Sequence, residues 1–158
     1  METIQVSLSN AFTGKAPKEI HKTKSKDYLF GQSFVGQSIT VADFFKHITA
    51  GNAWAVGTYK DNRRRKENFI QSQVLVLDLD NPPEYMAIQS ELAALIHPTP
   101  SYTLDTPKYR VIFILDSPIT NCEDWEKAQR ACQFTYAVWN PDTSTQDGAR
   151  FFFDASLE

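Results

Sequence analysis

The sequence predicts an α+β fold, a mixed or antiparallel sheet with helices packed on it. Three observations carry the prediction: short runs with two-residue alternation, two long stretches with helical spacing, and a proline-containing turn between two apolar runs. Strands and helices do not alternate strictly, which sets the pattern apart from a parallel α/β chain. The 158 residues suit one domain with a sizeable core, and residues 1–156 are read as that domain.

Thr3 to Leu8 alternates as an edge strand would, and GKAPKEIHKTKSKD (14–27) follows as a basic, mobile loop. TVADFFKHITAG predicts a helix near 40–50, with Thr40 and Asp43 in capping-box spacing and Gly51 at its stop. AWAVGTYKD (53–61) reads as one strand and 72–80 as the next. Pro82 and Pro83 suit the first turn of a helix whose face holds Tyr85, Ile88, Leu92 and Leu95. SYTLDTPKYRVIFILD (101–116) predicts two strands around an Asp-Thr-Pro-Lys turn. A second long helix starts at Thr120 with Glu123 as capping partner, and buries Trp125, Ala128, Cys132, Tyr136 and Trp139. ARFFFDA closes the chain as a strand.

With 42% hydrophobic and 22% charged residues the composition is that of a folded globular protein. No run reaches the roughly 18 apolar residues of a membrane span, and the first residues lack a signal-peptide layout, so a cytoplasmic location is expected. Cys122 and Cys132 lie ten apart in one expected helix and cannot meet, which suits a reducing compartment. Without a CxxC and with three scattered histidines, no zinc site is expected. The net charge of −3 hides a polarity: residues 1–66 carry +6 and residues 67–158 carry −9. A basic front beside an acidic back suits a protein that holds a polyanion near a metal-binding carboxylate cluster. The final Leu157-Glu158 resembles what a common cloning site leaves behind, which implies a natural chain that continues.

The stretch QVLVLDLDNPP (73–83) ends a run of aliphatics on two aspartates. Alternation puts Val74, Val76, Asp78 and Asp80 on one face and Leu75, Leu77 and Leu79 on the other, the pattern of a strand covered on both sides. Asp78 and Asp80 then stand about 7 Å apart along the strand and repel each other unless a cation neutralises both. Mg²⁺ or Mn²⁺ is the expected counter-charge, because these hard ions take oxygen ligands and keep positions free for phosphates. NPDTSTQDGARFFF offers Asp142 and Asp147 as a third carboxylate. In YKDNRRRKENF, the consecutive Arg63, Arg64, Arg65 and Lys66 with Tyr59 and Phe69 nearby form a candidate surface for a single-stranded template, where charges grip the backbone and rings stack on bases. The alternatives are a solvated basic turn and core aromatics.

Taken in order, LVLDLDN, SYT and DTSTQDGARFF resemble the three motifs of the archaeo-eukaryotic primase superfamily: a strand ending in DxD or DxE, an SxH, and a final Asp before a hydrophobic strand. The resemblance spans roughly 70–154. It implies an RRM-like catalytic unit, metal-ligand and catalytic roles for Asp78, Asp80 and Asp142 (with Asp147 as second choice for the last), and a two-ion Mg²⁺ or Mn²⁺ site. The implied function is a primase or primase-polymerase in replication, a nucleotidyltransferase whose partners are a single-stranded DNA template and nucleoside triphosphates, with a downstream helicase or helical domain in a longer chain. SYT departs from the pattern, since Thr103 stands where the family has His. Ser101, Thr103, Lys108, Arg110 and Arg150 are therefore the candidates to hold nucleotide phosphates, where Arg binds in bidentate fashion. The other reading of Arg110 is a plain ion pair with Asp105 or Asp116. Two rival functions remain: a catalytically silent nucleic-acid-binding replication module of the same fold, and a phosphatase similar to the haloacid dehalogenases, in which Asp78 would be a nucleophile.

Overall fold

A computed structural model describes residues 3–16, 19, 26–82 and 92–157. In chain order the elements are β1 (Thr3–Thr13), α1 (Lys26–Gly31), β2 (Val35–Thr40), α2 (Val41–Thr49), β3 (Asn52–Ala55), β4 (Thr58–Tyr59), β5 (Phe69–Asp80), β6 (Leu95–Pro98), β7 (Lys108–Ile119), α3 (Cys122–Thr135) and β8 (Phe151–Phe152). The fold is α+β, as the sequence predicts, but the strands form two four-stranded sheets rather than one, ordered β2-β1-β3-β8 and β4-β5-β7-β6. Every pairing is antiparallel. The main core lies between the sheets and under α2 and α3, and joins Ile4, Val6 and Leu8 to Phe44, Ile48, Trp54, the Val74–Leu77 run, Val111, Ile112 and Trp125.

Several elements depart from the sequence reading for identifiable reasons. β1 is internal, between β2 and β3, because Ser7 and Ser9 are buried on one face while Ile4, Val6 and Leu8 are buried on the other. The single strand expected over 53–61 divides between the sheets at Gly57. A Cβ there would stand 2.8 Å from both the Gln71 carbonyl oxygen and the Phe69 ring, so only glycine lets the chain cross beneath them. The hairpin strand expected at 101–104 lies earlier, at Leu95–Pro98, which pairs antiparallel with Tyr109–Ile112 of β7. Beyond Thr99 the chain turns on itself through Thr103 and Thr106 instead. Most of the helix expected from Pro82 and Pro83 falls on 83–91, outside the described residues, as does most of the 14–27 loop; Leu95, expected on that helix, instead opens β6.

The helix caps follow the sequence closely. Thr40 accepts the Asp43 N–H at 3.1 Å and donates its hydroxyl to the Asp43 carboxylate at 2.7 Å. α3 is capped one residue later than expected, by Asn121 accepting from the Asp124 N–H. This helix does more than cover a face. β4 reaches only the start of β5, so from Val74 onward that edge of β5 has no strand beside it. The α3 side chains take its place: Trp125 Nε1 donates to the Val74 carbonyl at 3.0 Å, while Gln129 accepts the Val76 N–H and donates to the Val76 carbonyl. The spacing of four between Trp125, Gln129 and Gln133 keeps all three on one helix face, and all three are buried.

Candidate active site

β5 ends on Asp78 and Asp80, and β7 runs beside it in a register that sets Asp78 opposite Arg110 and Asp80 opposite Lys108. The third-motif loop arrives at the same place along the free edge of β5. The Asp142 N–H donates to the Asp78 carbonyl at 2.8 Å, and Leu79 bridges to Pro141. Gln133, next along the α3 face, donates to the Asp142 carbonyl and to the Thr145 hydroxyl. A cleft of about 350 Å³ results, and Asp78, Asp80, Asp142, Ser101, Lys108, Arg110 and Arg150 all line it together with Lys15 and Phe151–Phe153.

Asp78 and Asp80 already face basic partners in the cleft. Arg110 grips Asp78 with two bonds, Nε to Oδ1 at 2.7 Å and Nη2 to Oδ2 at 3.3 Å, and its Nη1 reaches Asp154 Oδ1 at 2.5 Å. Burial works against the Arg110 charge, but the Asp154 and Asp78 carboxylates outweigh it and raise its pKa. Lys108 Nζ sits 3.1 Å from Asp80 at the solvent-exposed rim. Asp142 turns toward Ser144, whose N–H and hydroxyl both donate to it. Burial opposes its charge, yet those two bonds, Arg150 and Lys108 together hold its carboxyl below the usual range.

Arg110 and Lys108 thus lie against the aspartate pair for which the sequence expectation was a metal counter-charge. In kind the donors fit Mg²⁺ or Mn²⁺, being carboxylate oxygens at an open cleft. In arrangement they do not, since no three Asp, Glu, His or Cys side chains among the described residues are grouped to hold one ion.

Other candidates separate. Thr103 does not line the cleft, and its hydroxyl bonds that of Thr106 at 2.5 Å. Arg110 pairs with neither Asp105 nor Asp116. Arg64 is not available to a template: its guanidinium donates to the carbonyls of Phe30 and Ala149 and stacks 4.2 Å over Phe151. Arg63, Arg65 and Lys66 are exposed, but Lys66 is bound to Glu126 at 2.6 Å and Arg65 lies 3.8 Å from Glu67. Tyr59 and Phe69 belong to the core, with the Tyr59 hydroxyl donating to the Gly148 carbonyl.

Asp154, His97 and Trp54 were not legible as site residues. Asp154 is fully buried, accepts from Trp54 Nε1 at 2.5 Å and lies 3.6 Å from His97 Nδ1. Its one sequence signal is an aspartate directly after three phenylalanines, an unusual place for a carboxylate without a partner.

No protein-family model matches the sequence, and no curated protein does either. Among solved structures the chain is similar to the AEP domain of the cyanophage S-2L primase-polymerase, with a TM-score of 0.50 at 13% identity, over 97% of this chain and 72% of that one. The chain has a mixed α+β fold like that of this domain. In this primase-like fold the cleft is built from the three segments on which the sequence resemblance rests, though Ser101 alone represents the second. No helix among the described residues is long and apolar enough to cross a membrane.

Proposed function

We propose that the protein is a DNA primase or primase-polymerase module of replication. On a single-stranded template, a terminal 3′-hydroxyl or the first nucleotide's hydroxyl attacks the α-phosphate of a nucleoside triphosphate, the α–β phosphoanhydride bond breaks and pyrophosphate leaves. The observation that supports this most is the convergence of Asp78, Asp80 and Asp142 with Ser101, Lys108 and Arg150 on one cleft of a primase-like fold. Arg150 and Ser101 hold phosphate oxygens in this reading, and Arg63 and Arg65 meet the template backbone. Asp78, Asp80 and Asp142 are the residues that would hold a Mg²⁺ or Mn²⁺ cofactor, which would supply counter-charge to the triphosphate; the exposed Lys108–Asp80 ion pair with which it would compete is worth less than about 1 kcal/mol.

The test is template-directed extension with labelled nucleotides and Mn²⁺, comparing the protein with an Asp78→Ala, Asp80→Ala double variant. Incorporation that vanishes in the variant is expected; incorporation that survives it removes the assignment.

The pairing of Asp78 and Asp80 with Arg110 and Lys108 favours a second reading, a silent module that binds nucleic acid in replication without extending it. Single-stranded DNA binding that neither nucleotide nor Mn²⁺ strengthens, with no extension, identifies that case. A phosphatase reading finds no such support: a nucleophilic carboxylate has to be free to attack, and Arg110 holds both oxygens of Asp78.

A further inference from the structure

Among the described residues the cleft walls carry four basic side chains and three acidic ones. Arg110 is shared between Asp78 and the buried Asp154, Lys108 faces Asp80, and the Asp142 carboxylate takes both donors of Ser144. The other two cations, Lys15 and Arg150, form no ion pair among the described residues. Both stand at ends of the sheet β2-β1-β3-β8, whereas Asp78 and Asp80 stand on the other sheet. Lys15 lies two residues past β1, between Gly14, whose N–H donates to the Gly51 carbonyl at 2.7 Å, and the buried Ala16. Arg150 directly precedes β8; its N–H donates to the Asp147 carbonyl at 2.8 Å and its carbonyl accepts the Val56 N–H at 3.2 Å. Its Nε is buried and has no partner among the described residues. A buried guanidinium N–H without an acceptor is unfavourable, and this one belongs to a side chain on the wall of a cleft of about 350 Å³, a volume within the roughly 300–1,000 Å³ of small-molecule sites. A phosphate oxygen supplies both an acceptor and a negative charge.

We propose that the cleft binds the phosphate chain of a nucleoside triphosphate directly on Arg150 and Lys15, with no divalent ion between protein and phosphate. The proposal rests on the proposed function only in taking a nucleotide as the ligand, and it concerns binding, not the bond-making step. In a metal-bridged site the carboxylates supply phosphate affinity, because they hold the ion. Here they are engaged with Arg110, Lys108 and Ser144, and toward a phosphate chain they act as repelling charges. The two arrangements give opposite signs when a carboxylate is neutralised. Asp80→Asn weakens a nucleotide bridged by metal; it strengthens one held by cations, since a repelling charge goes and Lys108 is released to join Arg150.

The experiment is calorimetric titration of the whole chain with ATP and with dATP, in EDTA and again in Mg²⁺, with adenosine as the phosphate-free control and circular dichroism to establish folding. Binding in EDTA is expected to be at least as tight as in Mg²⁺, and adenosine is expected not to bind. Arg150→Gln should weaken binding in EDTA about tenfold or more through loss of a charge-assisted bond. Lys15→Gln, at an exposed position, should weaken it by a smaller factor, and Asp80→Asn should tighten it. Nucleotide binding that requires Mg²⁺, adenosine binding as tightly as ATP, or Arg150→Gln binding like the parent overturns the proposal. Should Arg150→Gln not fold, Asp80→Asn decides: tighter binding in EDTA supports the proposal, and unchanged or weaker binding overturns it. The extension assay fails separately. ATP bound in EDTA by a protein that extends nothing supports this proposal and counts against the polymerase; extension by a protein that binds nucleotide only with Mg²⁺ does the reverse.

Discussion

The Asp142 N–H donates to the Asp78 carbonyl at 2.8 Å, so main chain, not side chain, joins the third-motif loop to the end of β5. The junction continues the series that Trp125 and Gln129 begin on the same strand edge. An unpaired strand edge is otherwise a row of exposed donors and acceptors. Here one helix face satisfies that row and delivers Asp142 to the cleft.

Gln129 is the central link. Gln129→Leu leaves the buried N–H and carbonyl of Val76 without partners, at about 1–3 kcal/mol for each. The urea midpoint is expected to fall markedly, whereas Gln146→Leu, on a half-buried loop residue, lowers it less. Equal midpoints for Gln129→Leu and the parent count against the edge-completing role.

Arg64 and its neighbours should part company. Arg64→Ala removes charged donors from the Phe30 and Ala149 carbonyls and is expected to cost about 2–3 kcal/mol of stability. Arg63→Ala and Arg65→Ala should keep the parent's melting temperature. Each should instead weaken single-stranded DNA binding and reduce the slope of log affinity against log salt by about 0.7.

Glu126 ties the basic turn to the third-motif loop, accepting from Lys66 and from the Gly148 N–H. Burial works against its charge, but Lys66 and the Gly148 N–H prevail and hold its carboxyl below the usual range. A depressed carboxyl stabilises the fold fully above its unfolded pKa, about 4.3, and loses that contribution as pH falls through the folded value. Denaturation midpoints of Glu126→Gln and the parent are therefore expected to differ at pH 6 and to converge at acid pH; a constant gap contradicts the linkage.

Arg150 Nε is buried with no hydrogen-bond partner among the described residues, while the side chain lines the cleft. If it takes a nucleotide phosphate, Arg150→Ala raises the KM for nucleotide about tenfold or more through loss of a charge-assisted bond. Its effect on kcat should be smaller. An unchanged KM places the phosphate elsewhere.

Much of this protein is legible from sequence because it is local. The alternation of Val74 to Asp80 and the Thr40 cap follow from backbone geometry and reappear in the structure, while the helix around Trp125 ends at Thr135, short of Tyr136 and Trp139, and buries Gln129 and Gln133 more fully than Ala128 and Cys132. The same alternation puts Asp78 and Asp80 on one face whatever surrounds them. The partners of those carboxylates are another matter. Arg110 faces Asp78 because of the β5–β7 register, and Asp154 reaches Arg110 because β8 joins the other sheet through β3. Arg64, one of four adjacent basic residues, is drawn inward by carbonyls from distant loops. Charges are placed by sequence, but whether a charge meets solvent, a metal or an opposite charge depends on distances between segments far apart in the chain. Coulomb attraction and desolvation act through space alone, so only the tertiary structure decides them.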